Sequence, residues 1–295
     1  MEWFAALAAE IARLTGVRCA PNPQGRLAGG SIHTCYRWPT AGAPLFVKIA
    51  SGTARATLEA EAEGLAELER AQALRTPRVL ACGVAGERAF LALEWLEAGA
   101  ASTACEELLG RGLAAQHRVT AREFGWRRDN TLGSTPQANG PLASWTEFFR
   151  ERRLRPQLTL AAVNGFGALL ATSGERLLAV LPELLGEHHP QPTLLHGDLW
   201  GGNWAADESG DPVIFDPAVY YGDRETDLAM TRLFGGFGPH FYLAYEAAWP
   251  LPSGSEVRGT LYNLYHVLNH LNLFGSEGYL RQAETMLDRL LAELG

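Results

Sequence analysis

Apolar residues recur along this chain with two different periods, and the change from one period to the other divides it. Residues 2–14 carry apolar side chains at helical spacing, which predicts an amphipathic helix. Residues 25–49 form strands separated by glycine and proline turns, and residues 77–84 and 89–96 are two further strands. Residues 53–72, rich in Glu and Ala, form a helix between them. The first hundred residues are therefore predicted to form an antiparallel sheet of about five strands with one internal helix.

Helical spacing of the apolar residues dominates the chain beyond residue 99. Predicted helices lie near residues 104–118, 144–154, 157–171, 174–186, 224–234, 238–248, 256–273 and 277–293. An irregular segment of short strands, residues 193–216, interrupts them. A small antiparallel β part followed by a larger helical part predicts an α+β, bilobal fold with lobes at residues 1–96 and 97–295, which is the layout of a protein-kinase-like fold.

Composition narrows the possible partners. The chain has 295 residues, of which 47% are hydrophobic and 20% charged, as in an ordinary globular protein. A net charge of −8 argues against nucleic acid as a partner, and no apolar run approaches the ~20 residues that span a bilayer. The N-terminus does not resemble a signal peptide. Four cysteines without C-x-x-C spacing favour free thiols in a reducing cytosol over disulfides or zinc.

The segment that begins at Thr193 carries the strongest chemical signal. An apolar strand leads to His196 and Asp198, and Asn203 follows Asp198 after four intervening residues. This is the spacing of a kinase catalytic loop, in which the Asp accepts the proton of the substrate hydroxyl and the Asn binds Mg²⁺. Thirteen residues after Asn203, a second apolar strand ends at Asp216, where kinases place a metal-binding Asp. The alternative, that both Asp residues only cap strand ends, does not explain the Asn between them. His196 is expected to orient the loop by hydrogen bonding.

Lys48 ends the apolar run Leu45-Phe-Val-Lys and is the only lysine among the 25 Lys and Arg residues. Kinases carry on such a strand the lysine that binds the α- and β-phosphates of ATP, and a compact ammonium is not replaced by a guanidinium fork. The next helix carries Glu59, Glu61 and Glu63, which can supply its ion-pair partner.

Two further stretches are candidates for nucleotide binding. Gly29, Gly30 and Ser31 lie between the first two predicted strands, where a phosphate-covering loop would sit, although a glycine pair is by itself only a turn signal. Glu94, Trp95 and Leu96 end the last strand of the small lobe and should form a hinge that offers backbone groups to adenine, or else an ordinary linker.

Several longer strings make the chain resemble the fructosamine kinase, or ketosamine-3-kinase, family over nearly its whole length. They are Phe124-Gly-Trp-Arg-Arg-Asp-Asn-Thr-Leu-Gly-Ser-Thr-Pro-Gln-Ala-Asn, His196-Gly-Asp-Leu-Trp, Asp216-Pro-Ala-Val-Tyr-Tyr-Gly-Asp-Arg-Glu, Leu233-Phe-Gly-Gly-Phe and Leu261-Tyr-Asn-Leu-Tyr-His-Val-Leu-Asn-His-Leu-Asn-Leu-Phe-Gly. Aminoglycoside and choline kinases share with this chain only the shorter H-G-D-x-x-x-x-N core, and not the longer strings. The family spacing favours Glu61 as the partner of Lys48. The chain departs from the family at Asp223, where His is common, and at Ser31, where some members have Cys and this chain has Cys35 further along.

The resemblance implies an ATP- and Mg²⁺-dependent phosphotransferase that acts on the sugar 3-hydroxyl of a ketosamine, either a small molecule or a glycated protein lysine, in deglycation repair. A kinase of another small alcohol, of the aminoglycoside or choline type, and a non-catalytic pseudokinase are the alternatives. The intact Lys, Asp, Asn, Asp set argues against the pseudokinase. Neither the identity of the sugar nor the oligomeric state follows from the sequence.

Candidate substrate residues come partly from the same resemblance. Trp200 follows Asp198 closely enough to stack on a sugar or aglycone, or else packs in the core, and the resemblance adds His270 and Asn272. His266 and His270 are four residues apart, but without a third ligand a core or pocket role is preferred to zinc. The acidic residues Asp223, Glu225 and Asp227 either attract a substrate ammonium or stabilise a helix N-terminus. His188 and His189 are expected in a solvated loop.

Overall fold

The computed structural model describes residues 2–27, 33–166 and 168–294. Its largest sheet has four antiparallel strands in the order β1-β2-β4-β3. The strands are β1 (Thr34–Trp38), β2 (Leu45–Ser51), β3 (Val79–Ala85) and β4 (Arg88–Glu94). The fifth predicted strand is wrong within the described residues, because the segment at Arg26 contributes one isolated bridge to Tyr36 rather than a ladder.

One helix covers each face of this sheet. The apolar face of α1 (Glu2–Thr15) packs with Val47 and Ile49 of β2, whereas α2 (Arg55–Ala71) packs on the opposite face with residues such as Leu91. Because successive strand residues point to opposite faces, Lys48 lies on the face that α2 covers. The alternation of β2 therefore directs the only lysine of the chain towards the predicted glutamates.

The chain divides into two compact units. The first contains Met1–Cys105 and Trp204–Pro217, and the second contains Glu106–Asn203 and Ala218–Gly295. In the first unit the hairpin of β8 (Trp204–Ala206) and β9 (Pro212–Ile214) bonds to earlier segments. The N–H of Ile214 donates to the carbonyl of Arg75 at 3.0 Å, and the N–H of Gly99 donates to the carbonyl of Ala206 at 2.8 Å. The functional lobes at 1–96 and 97–295 stay a prediction.

The second unit is mainly helical. Its helices are α3 (Thr103–His117, which starts in the first unit), α4 (Trp145–Phe149), α5 (Arg155–Val163), α6 (Ala168–Leu185), α7 (Glu225–Leu233), α8 (Pro239–Ala248), α9 (Ser255–Phe274) and α10 (Glu277–Ala292). A π-helical turn, Arg150–Leu154, joins α4 to α5. The predicted break between residues 171 and 174 is wrong, since α6 continues through it. The chain instead leaves the helix after Val163, where Gly165 has a positive φ of 83° that favours glycine.

Two small antiparallel pairs of strands position the chemistry of the second unit. The pair of β7 (Thr193–Leu195) and β10 (Tyr220–Gly222) places the residues that follow β7 beside those that precede β10. The hairpin of β5 (Asn130–Leu132) and β6 (Thr135–Gln137) was not predicted, because three-residue strands give too short a period to detect. None of the helices that the structure describes has the length and apolar character needed to cross a membrane.

Candidate active site

The loop after β7 holds its polar residues through short-range hydrogen bonds. The N–H of Asp198 donates to His196 Nδ1 at 3.2 Å, so His196 orients the loop as the sequence indicated. Asn203 Nδ2 donates to the carbonyl of Asp198 at 2.8 Å and to its carboxylate Oδ2 at 3.2 Å. The predicted base and the predicted metal-binding amide are therefore in direct contact, and the amide fixes the direction of the carboxylate.

Gly197 is required by a close approach of two backbone segments. Its φ is +82°, and a Cβ atom at this position would lie 2.1 Å from the carbonyl oxygen of Ala218. A side chain here would therefore separate the loop after β7 from the segment that precedes β10.

Asp227 of α7 holds the same loop from the other side. Its two carboxylate oxygens accept the N–H groups of His196 at 2.8 Å and Gly197 at 2.9 Å. His117 Nε2 lies 3.2 Å from Oδ2 of Asp227. Burial by itself would raise the pKa of Asp227, but the hydrogen bond and charge of His117, with the donated N–H groups, hold that pKa below its usual range. Asp227 thus stays ionised and fixes the backbone that carries Asp198.

The role of Asp227 was missed in the sequence, and the substrate-ammonium hypothesis for the acidic run is wrong. Asp223, Glu225 and Asp227 are all buried. Asp223 accepts a hydrogen bond from the Tyr262 hydroxyl at 2.6 Å, and Glu225 accepts two from Arg258, each at 2.8 Å. Local spacing gave no signal of this burial, because Asp223 precedes α7 and residues two positions apart do not share a helix face.

His188 is also placed differently from the prediction. It lies 2.7 Å from Oδ2 of Asp223 and is largely buried, whereas His189 is exposed as expected. Ligand atoms of His188, Asp223 and Glu225 lie within 4.8 Å of one another. Because Arg258 already binds both oxygens of Glu225, this set is balanced by an internal cation.

In the first unit, Lys48 contacts two carboxylates. It is 4% exposed, lies 2.8 Å from Glu61 of α2 and also contacts Asp216. Burial opposes its charge, but Glu61 and Asp216 outweigh burial and raise the pKa of Lys48. Burial also raises the pKa of Glu61 to about 7, against the attraction of Lys48. The partner chosen from the family spacing is the glutamate that Lys48 contacts.

Asp216 has an unusual backbone. Its φ is 57°, and Pro217 follows it. A positive φ is uncommon for residues other than glycine, and the residue before a proline normally adopts an extended conformation. Such departures occur where a side chain must point in one direction for function, and the Asp216 carboxylate, 47% exposed, points towards Lys48.

The candidate adenine segment follows β4. The Glu94 carboxylate is engaged by Arg78 at 2.9 Å, so this side chain is not available to a nucleotide. The indole of Trp95 lies under the guanidinium of Arg37, and its buried Nε1 has no acceptor within the described residues. Leu96 is half-buried. Gly29, Gly30 and Ser31 lie outside the described residues.

The predicted substrate residues differ in setting. Trp200 is 40% exposed rather than in the core, and its ring covers Gly202, where a Cβ atom would lie 2.3 Å from a ring carbon. His270 packs against Phe234, with ring centroids 4.7 Å apart. Asn272 donates to Gln157 Oε1 at 2.8 Å and so links α9 to α5. Trp200 lies on the loop after β7, and substrate roles for all three stay predictions.

His266 belongs to the core, the first of the two roles preferred to zinc. It is buried in α9, and burial lowers its pKa to about 3. Its main-chain carbonyl lies 2.9 Å from Nδ1 of His270.

The structure therefore assembles two sets of predicted residues, one in each unit. Lys48, Glu61 and Asp216 are in contact in the first unit. Asp198 and Asn203 are in contact in the second. The first set offers a buried cation with a carboxylate beside it, and the second offers a carboxylate held by an amide, which are the parts that phosphoryl transfer needs.

Comparison with known proteins places these sets in a family. A model of the fructosamine kinase family matches residues 3–293. A probable ketoamine kinase of Synechocystis sp. is 42% identical over 97% of this chain and 96% of its own length. The chloroplastic protein-ribulosamine 3-kinase of Arabidopsis thaliana is 38% identical over 92% of this chain and 83% of its own.

The fold is also found in solved structures. A crystal structure from Haemophilus somnus, assigned as a fructosamine-3-kinase, superposes with a TM-score of 0.89 at 26% identity and covers 98% of each chain. The predicted α+β, protein-kinase-like fold class is confirmed by this likeness.

Proposed function

The chain belongs to the fructosamine kinase family, and from this premise we propose that it transfers the γ-phosphoryl group of ATP to the sugar 3-hydroxyl of a ketosamine. The observation that carries the proposal is the contact between Asp198 and Asn203, because it supplies an oriented carboxylate on the loop where this family places its base. ATP as the phosphoryl donor follows from the kinase family.

Asp198 acts as the base in this proposal. Its carboxylate accepts the proton of the attacking hydroxyl as the bond between that oxygen and the γ-phosphorus forms. The bond between the γ-phosphorus and the β,γ-bridging oxygen breaks, and ADP leaves. Asn203 holds one oxygen of Asp198, so the other can face the acceptor. His196 and Asp227 fix the backbone of the loop, so that little reorganisation is needed at the moment of transfer.

Lys48 binds the α- and β-phosphates. A buried ammonium has lost its hydration, so its attraction to a polyphosphate is stronger than in water. Glu61 keeps Lys48 charged and aligned. The buried Nε1 of Trp95 lacks an acceptor within the described part of the chain, and a purine nitrogen would supply one.

Asp216 and Asn203 would hold Mg²⁺. Both offer oxygen atoms, the ligands that a hard divalent cation prefers, and Asp216 is half-exposed in a backbone conformation that directs its carboxylate. When bound, Mg²⁺ neutralises charge on the phosphate oxygens. With Asp216 as a metal ligand, Glu61 would remain a carboxylate partner of Lys48.

The acceptor is proposed as a ketosamine on a small amine or on a protein lysine. The Arabidopsis relative is named for ribulosamine, the Haemophilus somnus structure for fructosamine, and the Synechocystis relative for ketoamines in general. Trp200, exposed on the catalytic loop, offers an aromatic face to the sugar or its aglycone. All four cysteines carry thiols, consistent with the proposed location in a reducing cytosol.

A comparison of acceptors tests the activity. The enzyme would be incubated with ATP and Mg²⁺ and with ribulosyl-lysine, fructosyl-lysine, free lysine, free sugars or an aminoglycoside. We expect phosphate transfer to the ketosamines and none to free lysine. Transfer only to acceptors without a ketosamine would exclude the proposal.

Replacement of the base tests the mechanism. We expect Asp198→Asn to lower kcat by about 10²–10⁴-fold, because the amide cannot accept the proton, with ATP affinity largely unchanged. Asp288→Asn, on the exposed face of α10, removes the same charge and should leave kcat within about twofold. A normal kcat for Asp198→Asn would contradict the assigned role.

A further inference from the structure

The hairpin β5–β6 brings two amide side chains together, one of them buried. Asn130 and Gln137 are directly opposite each other in the two strands, and Gln137 Nε2 donates to Asn130 Oδ1 at 2.8 Å. Gln137 is 1% exposed, so its amide group must find every partner inside the protein. These residues belong to the longest family-like string of the sequence, to which the proposed reaction has assigned no role.

The other hydrogen bonds of this pair reach the segment before β10. Gln137 Nε2 also donates to the carbonyl of Ala218 at 3.2 Å, and Asn130 Nδ2 donates to the carbonyl of Val219 at 2.8 Å. The Tyr265 hydroxyl donates to Gln137 Oε1 at 2.7 Å. Both N–H groups and the oxygen of the Gln137 amide are therefore used, which fixes the amide in one orientation.

Ala218 in turn contacts the catalytic loop. Its N–H donates to the carbonyl of His196 at 2.9 Å, and its own carbonyl packs against Gly197, leaving no space for a Cβ atom. A continuous series of contacts thus joins Gln137 to the backbone that carries Asp198.

A buried arginine supports the hairpin from behind. Arg153 is fully buried, donates to Asn139 Oδ1 at 2.7 Å and lies 4.0 Å from the ring centroid of Tyr220. Asn139 Nδ2 donates to Asn130 Oδ1 at 2.9 Å. Burying a guanidinium is costly, and a π-helical turn such as Arg150–Leu154 is common at functional sites. Both features indicate that the position of Asn130 and Gln137 matters beyond filling space.

We propose that Gln137 is a positioning residue for phosphoryl transfer. It fixes Ala218, and Ala218 fixes the turn His196-Gly197 that aims Asp198. Asn130 and Tyr265 hold the Gln137 amide in the one orientation that reaches Ala218. The inference rests on the proposed role of Asp198 as the base.

Gln137→Leu tests the proposal, because leucine fills a similar volume and cannot form the hydrogen bonds. We expect the single-turnover rate of phosphate transfer to fall by about tenfold or more, since small displacements of a catalytic group are costly. KM for ATP and for the ketosamine should stay within about twofold, because the groups that bind them are unchanged. A rate within about twofold of the wild type overturns the proposal.

Two tyrosines on α9 provide a matched control. Tyr265→Phe removes the hydroxyl that bonds to Gln137, and Tyr262→Phe removes an equally buried hydroxyl that bonds to Asp223. Both variants should lose thermal stability, and Tyr262→Phe should lose more, because its hydroxyl donates to a carboxylate and also accepts the Trp145 indole N–H at 3.0 Å. Only Tyr265→Phe should lower the single-turnover rate, by about threefold or more. Equal rate losses in the two variants would show a merely structural role and overturn the proposal.

Amide hydrogen exchange separates this inference from the proposed function. In Gln137→Leu we expect the N–H groups of Asp198 and Ala218 to exchange about tenfold faster, while those of α10 keep their wild-type rates. This readout needs no acceptor. Unchanged exchange at Asp198 and Ala218 overturns the inference even if the wild type phosphorylates ketosamines, whereas a wild type inactive on every ketosamine contradicts the proposed function alone.

Discussion

Lys48 shows how a single residue is placed by the simplest periodicity in the chain. The period of two in β2 puts it on the face that α2 covers, and the helical period of α2 presents Glu61 to it. Glu59, on the same helix, bonds to Arg55 at 2.6 Å and is partly exposed. Two glutamates two positions apart therefore have different surroundings.

This difference gives a prediction for the ion pair. Glu61→Gln should lower kcat/KM for ATP by about tenfold or more, a loss of ~1.4 kcal/mol, because a neutral amide no longer keeps Lys48 charged and aligned. Glu59→Gln should change it by less than about twofold. Steady-state kinetics with varied ATP would measure both, and equal effects of the two substitutions would contradict the assignment of Glu61.

His266 gives a prediction about pH and stability. Its folded pKa is lowered by burial to about 3, from an ordinary value of 6.5. The unfolded chain therefore binds a proton below about pH 6.5 that the folded protein refuses, so stability present at neutral pH is lost as the pH falls towards 3. His266→Met removes this titrating group. Because Nδ1 of His266 has no hydrogen-bond partner within the described residues, its removal leaves no such partner unpaired.

Urea unfolding at several pH values would check this expectation. Between pH 7 and pH 4 the wild type should lose about 2–3 kcal/mol more unfolding free energy than His266→Met. Parallel pH profiles for the two proteins would show that His266 does not resist protonation in the folded state.

At the scale of elements, α7 fixes the loop after β7 and also closes part of the core. Asp227 binds the backbone of His196 and Gly197, whereas Glu225, on the same helix, pairs with Arg258. Both carboxylates are buried. Asp227→Asn and Glu225→Gln should therefore each lower the free energy of unfolding by about 3 kcal/mol, because a buried partner is left unpaired.

The two carboxylates should differ in catalysis. Asp227→Asn should lower kcat, measured per folded enzyme, by about tenfold, because one N–H of the loop loses its acceptor. Glu225→Gln should leave kcat within about twofold while lowering the unfolding midpoint. An unchanged kcat in Asp227→Asn would mean that the loop keeps its geometry without the Asp227 carboxylate.

At the scale of the whole molecule, ligand binding should appear as stability. A ligand that binds only the folded protein adds about 2.7 kcal/mol at 100 times its Kd. ATP with Mg²⁺ should therefore raise the unfolding temperature by roughly 5 °C, and a chelator should reverse most of the gain. In Asp216→Asn the addition of Mg²⁺ to ATP should give little further increase. A full response to Mg²⁺ in this variant would show that Asp216 is not a ligand.

The family, the fold class and the phosphotransferase class could be predicted from the sequence and are confirmed by the comparisons. Local information was enough, because helical and strand periods and the spacing of Asp198, Asn203 and Asp216 are properties of short segments. The same local information failed at Arg26, where a strand-like pattern forms a single bridge, and near residue 171, where one helix continues.

The identity and order of the chemical groups can be read from the sequence, since these depend on neighbours along the chain. The burial of the acidic residues, and the groups that they hold, follow only from the folded arrangement. Asp227 reaches the backbone of His196 across 31 positions, and Gln137 reaches Ala218 across 81. Such contacts depend on how distant segments pack and on the need of each buried polar group for a partner, and no local pattern records either.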